Sequence, residues 1–332
     1  MKVCVFGAGA VGGYLAAQLG KAPGVELFIV ARGANLKAIQ DNGIRVQSKD
    51  GQWSARPVAA TDKPETLPPQ DIVFVTLKST AQAGSAAAIA ALLAPDGHVV
   101  FVNNGIPWWW NHGLPNAGDA GPLPLLDEGG ALWNLLPART LGCVVYSANE
   151  VVAPGVVQHN GNNRWVIGEP DNSSSERVQR TVATMLAGGL GAEASTDMRR
   201  EVFAKLMRNA AFNTICALTG LPVEWLTEDP SLKALVGAVI GEMKAIAAAL
   251  GIDASEAAEA ARRFKKRPEG MTLEQGQKPS MLQDAIARRP MEVEAILGQV
   301  CEFATQTGTP CPSARTLLAL LRGLDARMKL GA

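Results

Sequence analysis

The 332-residue chain has little that would direct it to nucleic acid, a membrane or a metal. Lysine plus arginine and aspartate plus glutamate each number 31, so the formal net charge is zero and no overall positive field gathers phosphate backbones or anionic lipid. No apolar run approaches the ~20 residues of a membrane span. The N-terminus opens on the strand-like Lys2-Val3-Cys4-Val5-Phe6 rather than on a basic and apolar leader. The five cysteines, Cys4, Cys143, Cys216, Cys301 and Cys311, are odd in number, widely spaced and mostly within apolar segments, which suits reduced thiols rather than a disulfide framework. His98, His112 and His159 have no carboxylate or serine partner in recognisable spacing and are expected to be structural; no clustered His/Cys pattern suggests a metal. The expectation is a soluble cytoplasmic protein with no nucleic-acid, membrane or metal partner.

What is present organises itself around the N-terminus. The apolar run Val3 to Phe6 leads into Gly7-Ala8-Gly9-Ala10-Val11-Gly12, a Gly-x-Gly-x-x-Gly turn followed by the apolar-periodic Val11, Tyr14, Leu15 and Leu19. Gly7 permits the tight turn, Gly9 lets backbone approach a pyrophosphate, and Gly12 lets the new helix pack on its strand. The N–H groups and dipole of that helix then attract the anion. At the end of the next strand, Glu26 to Arg32, an NAD enzyme would place an acid for the ribose 2′-hydroxyl, and this chain has Arg32. A guanidinium chelates a 2′-phosphate through paired charge-assisted hydrogen bonds, so the expected cofactor is NADP(H).

Strand and helix alternate through about residue 103, with Lys78 and Asn103-Asn104 at strand ends, which predicts a doubly wound α/β domain of the Rossmann type. Asp50-Gly51, flanked by Gly43 to Gln47 and Trp53 to Val58, signals a hairpin, expected as an excursion from the main sheet. An Ala-rich helix is expected from about Thr80 to Leu93. From Gly105 to Pro137 the pattern breaks into Pro, Gly and Trp108-Trp109-Trp110. This long loop is expected to be a lid over the cofactor crevice, with a packing patch or a contact in a homodimer as the alternative. Strand-like pieces at Leu141 to Ser147, Val151 to His159 and Arg164 to Gly168, and a helix from about Ser175, complete a first domain over 1–195. Helical spacings follow at Glu201 to Leu218, Ser231 to Leu250, Ser255 to Arg263, Ser280 to Arg288 and Met291 to Thr307, predicting an all-α second domain over 196–332.

In the first of these helices Lys205, Asn209 and Asn213 recur at i, i+4, i+8, so one face carries an ammonium and two carboxamides. Such a stripe either faces solvent or lines a cleft; in a cleft, a desolvated lysine could act as a general acid toward an alkoxide. Ser280 reads as the cap of a helix start that offers its hydroxyl and free N–H groups to a carboxylate. Glu292 begins the helix after Pro290, where favourable interaction with the dipole alone would explain it.

These residues carry a resemblance. The chain resembles the ketopantoate reductase (2-dehydropantoate 2-reductase) family through Gly7-x-Gly9-x-x-Gly12, Arg32, Val75-Thr-Leu-Lys78, Asn103-Asn104-Gly105, Lys205-Leu-x-x-Asn209-x-x-x-Asn213 and Ser280-Met-Leu-Gln-Asp284 followed by Glu292, in family order over nearly the whole chain. The resemblance implies a Rossmann domain joined to a helical domain like that of 6-phosphogluconate dehydrogenase, with NADPH and a small-molecule 2-keto acid meeting in a cleft. It implies cofactor-binding roles for Gly7, Ala8, Gly9, Ala10, Val11, Gly12, Arg32 and Lys78. Asn104 stands near both nicotinamide and substrate, Lys205 is the proton donor, Asn209, Asn213 and Ser280 bind substrate, and Glu292 sits beside the cofactor and the catalytic lysine. Departures bear on the substrate: Met291-Glu292-Val293-Glu294 and Leu297-Gly298 stand where many members have Thr-Glu-Ile-Asp and Asn-Gly, and Val223 stands at a substrate-binding asparagine. Three readings follow: a reductase making pantoate from 2-dehydropantoate, a reductase of a bulkier 2-keto acid, and a non-catalytic NADPH-binding sensor.

Arg32→Ala removes a charge-assisted interaction of about 1.5–3 kcal/mol with a 2′-phosphate. Steady-state kinetics should show the NADPH Michaelis constant rising roughly ten- to a hundredfold while that for NADH hardly moves; equal losses with both cofactors would refute the assignment.

Overall fold

The computed structural model describes residues 1–114, 120–263 and 266–330. The chain forms two compact units, one of Met1–Asn103 with Pro107–Met198 and one of Asn104–Ile106 with Arg199–Ala332.

The first unit is built on a ten-stranded sheet of β1 (Lys2–Phe6), β2 (Glu26–Val30), β3 (Ile44–Ser48), β4 (Gly51–Ala55), β5 (Ala59–Thr61), β6 (Gln70–Val75), β7 (Leu93–Asn103), β8 (Thr140–Ala153), β9 (Val156–Gly168) and β10 (Gly191–Ala194). Strands β5-β2-β1-β6-β7-β8 are mutually parallel, and the chain reverses its direction of winding between β1 and β6. Val3 to Phe6 and Ile72 to Val75 are buried throughout, as expected for parallel strands covered on both faces. This is the doubly wound arrangement whose ligand crevice lies at the carboxyl ends of the strands, at the reversal.

The hairpin forms, with Ser48 opposite Gly51, so its two-residue turn is Lys49-Asp50. It is no excursion. Strand β3 pairs in parallel with β9, Arg45 opposite Val156, which makes the hairpin an integral edge of the main sheet. The reason lies in the helix Ala10–Leu19, buried from Gly12 to its end. A Cβ on Gly13 would stand 2.7 Å from Val157 Cγ2, and one on Gly20 2.5 Å from the Ala55 methyl. The hairpin and β9 thus cover a side of this helix that would otherwise leave Leu15, Leu19 and Tyr14 in water.

Several expected boundaries also shift. The three strand-like pieces after Leu141 are two long antiparallel strands, β8 and β9, joined at Pro154-Gly155 with Gly155 at φ +70°. The Ala-rich helix is broken into Ser79–Gln82 and Ala86–Ala91 around a 3₁₀ turn. Strand β10, absent from the sequence-based reading, pairs in parallel with β9 after the helix Glu176–Ala187. The histidines sit in packing: His98 is buried with Nε2 2.8 Å from Thr181 Oγ1, and burial, aided by the nearby Arg180 charge, pushes its pKa down to about 3. His159 stacks on Tyr14 at 4.2 Å.

The lid expectation fails for the tryptophans. Trp108, Trp109 and Trp110 are 1%, 1% and 3% exposed and lie inside the first unit. Trp108 meets Phe101 of β7 edge-on at 5.3 Å, and a Cβ on Gly142 of β8 would stand 2.3 Å from Trp109 Cζ2. Trp108 and Trp109 bury their indole N–H groups with no hydrogen-bond partner among the described residues. An orphaned N–H costs about 1–3 kcal/mol, whereas removing ~200 Å² of ring from water returns about 5 kcal/mol, so burial wins. The segment also holds a short helix, Ala131–Leu135; Pro115 to Asp119 of its turn-rich stretch lie outside the described residues.

The second unit is helical: Met198–Arg208 continuing through a π-turn (Asn209–Asn213) into Thr214–Thr219, then Pro230–Ala249, Ser255–Ala261, Ser280–Ile286, a second π-turn (Glu294–Gly298) leading into Gln299–Gln306, and Pro312–Leu330. The last helix was not expected from the sequence. It buries Ala314, Leu317, Leu318 and Leu321, and its first-turn N–H groups at Ser313 and Ala314 donate to the Glu242 carboxylate at 2.9 and 2.8 Å.

Trp109→Ala should lower the unfolding free energy by about 3–5 kcal/mol, read as a lower denaturant midpoint, with the Michaelis constants nearly unchanged in the folded variant. Altered substrate preference at unchanged stability would reinstate the lid.

Candidate functional site

In the first unit the glycine turn is shaped by close approach. Gly7 has φ +107°, and a Cβ on Gly12 would lie 1.9 Å from the Gly7 carbonyl and 2.3 Å from Thr76 Oγ1, so only glycine fits there. Thr76, just after β6, donates its hydroxyl to the Gly7 carbonyl. This ties the loops after β1 and β6 together at the winding reversal. Asn35 holds the turn from the other side, donating to the Ala8 carbonyl at 2.6 Å and accepting from Gly155 N–H at 2.7 Å. A Cβ on Gly9 would meet nothing within 4 Å. Gly9 is the residue that caps the helix Ala10–Leu19, so open space lies in front of unpaired helix-start N–H groups. That space and those donors fit a pyrophosphate. Arg32, at the N-cap of the helix Gly33–Asn42, is exposed at the end of β2, where a 2′-phosphate can reach it, and Lys78 precedes the turn Ser79–Gln82.

In the second unit the structure brings Asn104, Lys205 and Glu292 into one hydrogen-bonded chain. Lys205 Nζ donates to Asn104 Oδ1, and Asn104 Nδ2 reaches Glu292 Oε2 at 3.5 Å. Asn104 is placed by its neighbours: Ile106 N–H donates to the Ala295 carbonyl at 2.8 Å, and Gly105, at φ +77°, runs so close to it that a Cβ would lie 2.3 Å from that oxygen. Ala295 belongs to the second π-turn, and π-turns are rare and concentrate at functional sites.

Asn104 and Glu292 also line a small recess with Asn213, Ser280, Met281, Asp284 and Ile296. Asn209 does not line it. Two local expectations are corrected. Pro279, not Ser280, is the N-cap, so Ser280 is the first helical residue and offers an exposed hydroxyl rather than a capping one. Glu292 precedes the helix that starts at Val293, and its own carbonyl accepts from Ile296 N–H at 3.1 Å. Glu294 is taken up structurally, in a two-point pair with Arg322 at 2.8 and 2.6 Å that raises the arginine pKa, and a Cβ on Gly298 would lie 1.9 Å from its Oε2. Glu294, which stands where many members have aspartate, therefore packs against a glycine that this chain keeps, Gly298. Sequence reasoning did not single out Asp284 as a site residue. It is buried in the recess wall, 3.1 Å from Arg289 Nε, and its place in the Ser280-Met-Leu-Gln-Asp284 motif was the available signal.

The first unit has the parallel, reversed winding and glycine turn of the dinucleotide-binding α/β class. Within that class the chain belongs to the ketopantoate reductase family. The sequence profile of ketopantoate reductase PanE/ApbA matches residues 3–172, and that of its C-terminal part matches 197–325. A 2-dehydropantoate 2-reductase from Mesorhizobium japonicum is 40% identical over 325 residues, 98% of each chain. A crystal structure from Ralstonia solanacearum MolK2, provisionally described as a ketopantoate reductase, superposes with a TM-score of 0.87 at 34% identity over 98% of both chains. A PanE/ApbA family ketopantoate reductase from Ralstonia eutropha JMP134 does so with a TM-score of 0.82 at 28% identity, covering 99% of this chain and all of that one.

Gly105→Ala removes no polar atom, yet it should displace Asn104 and lower NADPH-dependent turnover at least tenfold, as Asn104→Ala would. Steady-state kinetics beside a melting curve check this; normal turnover in folded Gly105→Ala would show that Asn104 does not depend on the close approach.

Proposed function

We propose that this protein reduces 2-dehydropantoate to pantoate with NADPH. The observation that carries the reading is the chain Lys205–Asn104–Glu292 at the edge of a small polar recess. Bound NADPH supplies the hydride that reaches C2 of the keto acid. The first unit, 1–195 in this reading, holds the cofactor through the open turn at Gly9 and through Arg32 and Lys78. The second, 196–332, provides the groups that act on the substrate.

As C2 becomes tetrahedral its oxygen gathers negative charge, and the Lys205 ammonium donates a proton or hydrogen bond to that oxygen. Asn104 accepts from the ammonium and so orients it. Glu292, one amide further along, anchors Asn104 in the sense that leaves its Oδ1 facing the lysine. Ser280 and Asn213 offer a hydroxyl and a carboxamide to the substrate's carboxylate and hydroxyl, with Asn209 close by on the same helix.

Lys205→Ala should leave NADPH binding nearly intact, by fluorescence titration, and lower turnover of 2-dehydropantoate about 10²-fold or more. NADPH oxidation followed by absorbance across a panel of 2-keto acids tests the reading itself. Tight NADPH binding with no turnover of any of them would favour the sensor.

A further inference from the structure

The end of the helix Ser280–Ile286 ties the following residues to the recess. Arg288 takes φ +52°, a left-handed conformation that a non-glycine residue enters at a cost. The Arg289 N–H then turns back to donate to the Asp284 carbonyl at 2.9 Å, the long bond of a Schellman close. With the backbone folded back in this way, Arg289 Nε lies 3.1 Å from Asp284 Oδ1. Main chain and side chain thus fix Arg289 to one residue, and Pro290 restricts how the chain leaves it.

The chemistry of the recess gives this arrangement a use. Its wall carries two carboxylates, Asp284 and Glu292. The substrate of a 2-keto acid reductase is itself a carboxylate, and like charges a few ångströms apart in a partly dehydrated site repel strongly. Asp284 is nearly buried, so its charge is poorly screened, whereas the Arg289 side chain is 52% exposed. A half-exposed pair of this kind adds little to folding stability. Its effect on the potential inside the recess is larger, because it sets a fixed positive charge beside a fixed negative one.

We propose that Arg289 is a positioning residue that determines substrate charge: acting through Asp284, it offsets that carboxylate, so that the recess accepts an anionic 2-keto acid and distinguishes it from the corresponding neutral ester. This rests on the reading of the site as that of a 2-keto acid reductase. The test begins with wild-type kinetics on 2-dehydropantoate and a panel of other 2-keto acids; absence of turnover with all of them would remove that reading. Given turnover, KM and kcat are compared for the acid and its methyl ester in wild type, Arg289→Gln, Arg289→Lys and the double variant Asp284→Asn/Arg289→Gln, with melting curves alongside.

Arg289→Gln should raise KM for the acid about tenfold with a much smaller change in kcat. Its KM for the ester should stay within about twofold, and its melting temperature within about 2 °C. Arg289→Lys should recover most of the loss, and the double variant, which removes both charges, should bring KM for the acid back toward the wild-type value. An unmoved KM in Arg289→Gln, an equal rise for acid and ester, or a double variant no better than the single one would each overturn the proposal.

Discussion

Much of the second unit depends on one close approach, that of Gly105 and Ile106 to the carbonyl of Ala295. Three residues that follow β7 in the chain, Asn104 to Ile106, belong to the helical unit, and only a residue without a side chain can run against that carbonyl at φ +77°. The backbone of Asn104 is thereby held, and its side-chain amide is then fixed by its hydrogen bonds to Lys205 and Glu292. A contact that must hold to within about half an ångström is more reliably set from a backbone held against a neighbouring carbonyl than by two long side chains alone.

The two π-turns serve the same end. Four residues of an α-helix advance about 40° past a full turn, so Lys205, Asn209 and Asn213 would drift progressively around a regular helix. The π-turn Asn209–Asn213 inserts a wider turn and takes part of that drift back, which brings Asn213 into the recess wall while Phe212 and Ile215 stay in the core. The second π-turn presents the Ala295 carbonyl to Ile106 and places Ile296 in the same wall. Both distortions trade some helical hydrogen bonding for side-chain direction, as expected where function outweighs regularity.

What the sequence showed and what it hid divide along the range of the interactions. The glycine turn, the buried strands and the helices are local patterns, and Lys205, Asn104, Glu292, Asn213 and Ser280 could be selected from spacing and family likeness before any coordinates. The attachment of β3 to β9 could not be: it pairs segments more than a hundred residues apart, and nothing in Ile44 to Ser48 names its partner. The tryptophans misled because composition says that rings avoid water but not which surface hides them. Ser280 and Glu292 were each misplaced by one residue, since a helix boundary depends on backbone angles at Pro279 and Val293 that the residue types only bias. Asp284 lay within a quoted motif, yet an acid on a helix reads the same whether it faces solvent or a recess. The helix Pro312–Leu330 escaped the sequence reading although its pattern is local, with a proline at its start and Ala314, Leu317, Leu318 and Leu321 at helical intervals.

The wrapping of the helix Ala10–Leu19 has a consequence for how the chain is made. Its covering comes from Ile44 to Ala55 and from Val156 to Gly168, so this helix is completed by a segment that emerges from the ribosome about 150 residues later. At the ~5–20 residues per second of synthesis, the helix that bears Leu15, Leu19 and Tyr14 waits roughly eight to thirty seconds for its covering to be complete. Contacts this distant in sequence are also the slow ones to form. This helix is therefore translated well before the strand that completes its covering, and until β9 arrives part of its apolar surface stays open to water in the newborn chain.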